Sequence, residues 1–171
     1  MYALSDYIGE DRVNSALRNF LQKNRYSSHP FPDSREFVAA LREATPPEMQ
    51  YLITDMFESI VLFDNKAVSA TYAATPDHKY KVTIVVSAEK RKADGSGNES
   101  PMKINDLIDV GVFGGTKEHL KALYLAKQRF SKQSSTLEFV VDERPTFAGI
   151  DPYNKLIDRN PGDNLIAVEK K

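Results

Sequence analysis

The chain has 171 residues, 23 basic and 24 acidic, for a formal net charge of -1. That balance leaves no overall field to attract nucleic acid or an anionic membrane. A hydrophobic fraction of 41% and a charged fraction of 27% are those of a globular protein, and the length fits one ordinary domain or two small ones. The absence of cysteine excludes disulfides, cysteine zinc sites, iron–sulfur clusters and thiol nucleophiles. No apolar run approaches the ~20 residues of a membrane span. The N-terminus lacks the basic-then-apolar pattern of a signal peptide, so the chain is expected to be soluble.

The first third carries helical periodicity. Leu4 and Ile8 lie four residues apart, so the chain opens inside an amphipathic helix, and Met1 reads as an added start or an internal residue of a longer chain. After Gly9 a helix is predicted to about Arg25, with Val13, Ala16, Leu17, Phe20 and Leu21 on one stripe and Asp11 at its positive end. His29-Pro30-Phe31-Pro32 interrupts it. Asp33 or Ser34 caps a helix holding Phe37, Val38, Leu41 and Ala44. Pro47 opens another, with Met49, Leu52, Ile53, Met56, Phe57 and Ile60 at helical spacing.

Around Phe63-Asp64-Asn65 the period changes from 3.6 to 2. Val68, Ala70, Tyr72 and Ala74 alternate with their neighbours, and so do Tyr80, Val82, Ile84, Val86 and Ala88, with Thr75 to Lys79 as the turn of a hairpin. Residues 91–101 are polar and glycine-rich and are expected to form an exposed, mobile loop. Strands are expected over 104–113, 120–130 and 136–141, with a short one over 165–168. Asn160-Pro161-Gly162-Asp163 fits a type II turn. The expected fold class is therefore α+β: a helical segment of three to four helices over 1–65, then an antiparallel β-sandwich-like domain of five to six strands over 66–171.

No catalytic, cofactor-binding or metal-binding residue is assigned. His29, His78 and His119 fall in loops, and no two are spaced to share a metal ion from one helix. Ser96 has glycines on both sides but neither the strand nor the helix of a nucleophile elbow. Gly114-Gly115 leads into a strand, not a phosphate-cradling helix. The Asp/Asn/Gly clusters at 94–99 and 158–164 lack the alternate-ligand pattern of a calcium loop. Glu10-Asp11 and Asp142-Glu143 read as surface carboxylates, and Glu89-Lys90-Arg91-Lys92 as a solvated strand end without aromatic residues for nucleic-acid stacking.

Two segments carry a resemblance. Tyr2 to Leu21 (YALSDYIGEDRVNSALRNFL) resembles a stretch of aminopeptidase N-like zinc metallopeptidases that follows the H-E-x-x-H helix, the glutamate ligand and the catalytic tyrosine. The helix openings at Pro32-Asp33-Ser34 and Thr45-Pro46-Pro47 continue it. Asp142 to Arg159 (DERPTFAGIDPYNKLIDR) looks like the C-terminal end of large bacterial proteins in which such a peptidase follows an ABC-transporter-type permease. The resemblance implies a membrane-associated parent that is a zinc-dependent aminopeptidase, with zinc and a peptide substrate bound upstream. This chain would supply the last helices of the catalytic domain and a β domain supporting the cleft, and would be inactive alone.

The resemblance further implies an upstream catalytic domain as partner, with Arg12, Arg18 and Arg25 either facing its cleft or simply exposed. An alternative is a β-sandwich module that binds a protein or peptide along a sheet edge. A helical part of about 65 residues cannot cover every apolar stripe by itself. If a neighbouring domain is missing, apolar surface near Leu4, Ile8, Phe20 or Met56 should remain exposed and drive self-association.

Overall fold

A computed structural model describes all 171 residues. They divide into two compact units, Met1–Val61 and Leu62–Lys171.

The first unit is helical. Helix α1 (Tyr2–Ile8) ends at Gly9, whose φ of +94° lets α2 (Glu10–Asn24) start at once in a new direction. Glu10 and Asp11 occupy the first turn of α2, where a carboxylate meets the positive end of the helix dipole. Helix α3 (Ser34–Ala44) has a complete capping box: Asp33 accepts from the backbone of Arg35 and Glu36, and Glu36 returns a bond to the Asp33 N–H.

The segment after Pro47 is a composite rather than the single helix its periodicity suggests. A 3₁₀ turn (Pro47–Met49) leads into α4 (Gln50–Ile53), which widens into a π turn (Thr54–Glu58). Arg42 holds the composite to α3, pairing with Glu58 at 2.7 Å and donating to Gln50 at 3.0 Å. The Gln50 amide returns bonds to the carbonyls of Arg42 and Thr45.

The second unit has nine strands in two sheets, where the alternation suggests five or six. The first sheet runs β3 (Glu99–Met102), β2 (Tyr80–Ala93), β1 (Ile60–Ala74) and β9 (Glu169–Lys170), with β6 (Ser134–Val141) also on β2. Strand β2 is long enough to hold two antiparallel partners in turn: β6 along residues 80–87 and β3 along 90–93. The second sheet runs β5 (Leu120–Phe130), β4 (Asp106–Gly115), β7 (Phe147–Ile150) and β8 (Leu165–Ala167), all antiparallel.

Several expectations need correction. The period changes at Ile60, three residues before Phe63, and Ile60 begins β1 instead of ending a helix. The buried residues of β1 are Val61, Phe63, Asn65 and Ala67, then Ala70 and Tyr72. The alternation slips between Ala67 and Ala70, and Val68 is exposed. Residues 91–101 are not one open loop. Strand β2 runs to Ala93, β3 starts at Glu99, and the Asp94 carboxylate accepts from the backbone of Ser96 and Asn98 to close a five-residue turn.

Gly162 does not have the positive φ of a type II turn, and Pro161–Asp163 form a 3₁₀ turn. The sheets are not wholly antiparallel, because β9 joins β1 in parallel and a parallel bridge links Phe63 to Asp158. Strand β7, unmarked by any long alternation, fills the centre of the second sheet. There Gly149 lets the backbones close, since a Cβ would stand 1.9 Å from the Asn164 carbonyl oxygen.

The β core is built on β2 and β4. Val82, Ile84 and Val86 are wholly buried, as are Ile108, Val110, Val112 and Phe113. Strand β4 is buried on nearly its whole length; β5 and β7 pair with its two edges, and residues 151–155 reach Asp109 and Phe113 on its outer side.

Candidate functional site

None of the histidines converges on another. His29 stacks on Phe31 with ring centroids 4.4 Å apart, His78 sits in the β1–β2 turn with φ +62°, and His119 lies in the β4–β5 turn; all three are exposed. No three histidine, aspartate or glutamate side chains cluster in a way that could hold a metal ion. The zinc implied by the resemblance therefore finds no fitting ligand set in these residues. Ser96 and the 94–99 cluster form the β2–β3 turn, where Asp94 is occupied by the backbone of Ser96 and Asn98 and by the Asn98 amide. In the 158–164 cluster, Asp158 accepts from the backbone of Asn65 and Asn160, while Asp163 takes the Asn160 amide.

Two buried charge centres in the β unit escape the sequence reading. The Lys90 ammonium lies 2.8 Å from the Asp106 carboxylate, both side chains about 6% exposed, and 5.6 Å from the centre of the Phe63 ring. Lys90 is thus not a solvated strand end. It continues the inward series Val82, Ile84, Val86, Ala88 of β2, and the strand's period puts it inside. Extending that alternation two residues would have located it.

The second centre is on the outer side of β4. Asp109 accepts from Lys155 at 2.6 Å and Lys127 at 3.1 Å. Beside it Asp151, with φ +42°, accepts from the backbone of Lys155 and Leu156, and its own N–H donates to the Asp109 carbonyl. Burial pushes the Asp151 carboxyl up to about 6 despite those two bonds, with the negative charges of Asp109 and Asp158 adding to the rise.

The Asp-Pro-Tyr-Asn-Lys-Leu stretch is thereby explained as structure. Asp151 ties the turn, Asn154 takes φ +51°, Tyr153 packs edge-on to Phe113, and Lys155 reaches Asp109. The segment then runs along the start of β1, where Phe63 donates to Ile157 and accepts from Arg159. Asp151 is 1% exposed, and its carboxylate is taken up by the backbone of its own turn.

The helical unit carries a concave surface. A groove of about 810 Å³ runs along α2, floored by Leu17, Phe20, Leu21 and Pro32 and rimmed by Arg18 and Arg25. Phe37 of α3 backs the floor, its ring edge-on to Phe20 at 5.4 Å. Leu21 is 65% exposed, and the adjoining loop exposes Tyr26 by 95% and Phe31 by 63%. The expected position of open apolar surface is thus shifted: Leu4 and Ile8 are buried, Phe20 and Met56 half-buried, and the open residues lie at the end of α2 and the loop after it. Arg18 and Arg25 line this groove, whereas Arg12 lines a separate shallow concavity with Asp11 and Glu43.

No helix is long and apolar enough to cross a membrane. No family model matches this chain, and no curated protein matches it.

Proposed function

We propose that this chain is the non-catalytic C-terminal region of a zinc-dependent aminopeptidase. Its helical unit completes the helical part of the catalytic domain, and its β unit supports the substrate cleft. The observation that carries the reading is the open apolar surface of the helical unit. Leu21, Tyr26 and Phe31 are all more than half exposed within a unit of 61 residues. Large apolar side chains left open on so small a unit support a contact with further protein surface. The resemblance of Tyr2–Leu21 and Asp142–Arg159 to a peptidase fused to a transporter-type permease supports a catalytic domain as that neighbour.

In such a parent, zinc polarises the scissile carbonyl and activates water. The residues of this chain would brace that site. The tightly tied segment from Asp151 to Asn164 suits a rigid support.

The test has two arms. The chain alone, supplied with zinc, is expected to leave aminoacyl chromogenic substrates intact. The reading frame upstream of Tyr2 is expected to encode an H-E-x-x-H helix and a further glutamate about 20 residues on. Turnover by the chain alone that a chelator abolishes, or a frame without that motif, overturns the reading.

A further inference from the structure

We infer that the α2 groove is a docking site for a protein segment bearing large apolar side chains flanked by carboxylates. The inference deepens the reading above and rests on it, in that the helical unit is taken to meet further protein there.

The floor decides the apolar part of the partner. Leu17, Phe20, Leu21 and Pro32 offer a concave apolar surface on a helix that α3 holds from behind through Phe37. The rim decides the charged part. Arg18 and Arg25 are its only charged residues, every other polar side chain in the lining being a neutral amide. Neither guanidinium has a carboxylate within ion-pair distance, and Arg25 is steadied over the Tyr26 ring at 5.4 Å. Elsewhere Arg42, Arg91 and Arg159 pair with carboxylates, whereas Arg12, Arg35, Arg129 and Arg144 do not, so it is the apolar floor beside them that sets Arg18 and Arg25 apart. Two unmatched guanidinium forks beside an apolar floor complement carboxylates, which they can grip in two-pronged fashion.

A second copy fits poorly. A two-fold dimer through this groove sets each rim against itself, Arg18 and Arg25 facing their own kind.

The test measures fluorescence anisotropy of the full chain with three probes: a short amphipathic peptide bearing leucine and phenylalanine at helical spacing between glutamates, a copy with lysine for each glutamate, and phosphatidylserine vesicles. The glutamate peptide is expected to bind about fivefold or more tightly than the lysine copy, the gap narrowing as salt rises. Leu21→Asp should abolish binding of both peptides. The double variant Arg18→Glu/Arg25→Glu should reverse their order. All three positions are exposed, and far-ultraviolet circular dichroism checks the fold; if Leu21→Asp does not fold, the charge reversal alone decides.

Equal binding of the two peptides, no binding of either, an order untouched by charge reversal, preference for vesicles, or self-association abolished by Leu21→Asp would each overturn the inference. The peptide assay reads the groove alone and the reading frame reads the parent, so either can fail without the other.

Discussion

Replacing Lys90 by methionine removes the cation from a pair whose two side chains are about 6% exposed and 2.8 Å apart. The Asp106 carboxylate would then keep the Asn105 backbone N–H as a donor, at 3.0 Å, in a buried place. Breaking a buried pair from one side costs about 3–5 kcal/mol, because a charge is left without compensation, whereas replacing both partners is often close to neutral. Methionine conserves most of the lysine stem and keeps the contact with Phe63, so the loss is electrostatic rather than a cavity. Asp106→Asn keeps an acceptor for Asn105 and leaves the ammonium facing a neutral amide.

Each single variant is therefore expected to lose about 3 kcal/mol or more, and the double variant Lys90→Met/Asp106→Asn about 1–2 kcal/mol, well under the sum. Urea unfolding followed by far-ultraviolet circular dichroism, with thermal melts in parallel, measures all four species. A Lys90→Met cost below about 1 kcal/mol, or a double variant equal to the sum of the singles, would show that the pair is not enclosed as described.

Asp151 gives a pH-dependent expectation. Its folded carboxyl titrates near 6, above the ordinary 3.8, so its contribution to stability is full below the unfolded value and declines as pH rises through 6. The stability of the wild type relative to Asp151→Asn should fall by about 2 kcal/mol between pH 4.5 and 7.5, and a flat or rising difference in urea titrations would contradict it. Gly149→Ala places a Cβ 1.9 Å from the Asn164 carbonyl oxygen, a backbone atom that cannot step aside without shifting β8. A loss of about 2–3 kcal/mol is expected in thermal melts, and a neutral outcome would mean that β7 and β8 are not so close. Asp33→Ala removes both capping bonds at the start of α3 and should cost about 1 kcal/mol, whereas Asp33→Ser should restore most of it.

The elements that sequence periodicity revealed are those held by local rules. The Asp33 cap, the Gly9 break between two helices and the alternation from Tyr80 to Ala88 each depend on neighbours within a few residues. So did the turn at His78, a position requiring positive φ and occupied by a residue that tolerates it. The composite helix after Pro47 was not legible, because its widening at Thr54–Glu58 accompanies ties from Arg42 to Gln50 and Glu58 that periodicity does not register. The groove was visible only in part. The stripe from Val13 to Leu21 was plain in the spacing, but which of its members α3 would cover was not.

Local sequence thus determined that helices precede strands, that the fold is α+β, and that no familiar catalytic spacing is present, since backbone propensity and side-chain period act over a few residues. Tertiary structure alone decided that Lys90 and Asp109 become buried ion partners, that β6 and β3 share one edge of β2, and that Asp151 holds a crossing segment. The Lys90–Asp106 and Lys155–Asp109 pairs join residues 16 and 46 positions apart, and a partner at that distance is selected by packing and desolvation, to which no local pattern is sensitive.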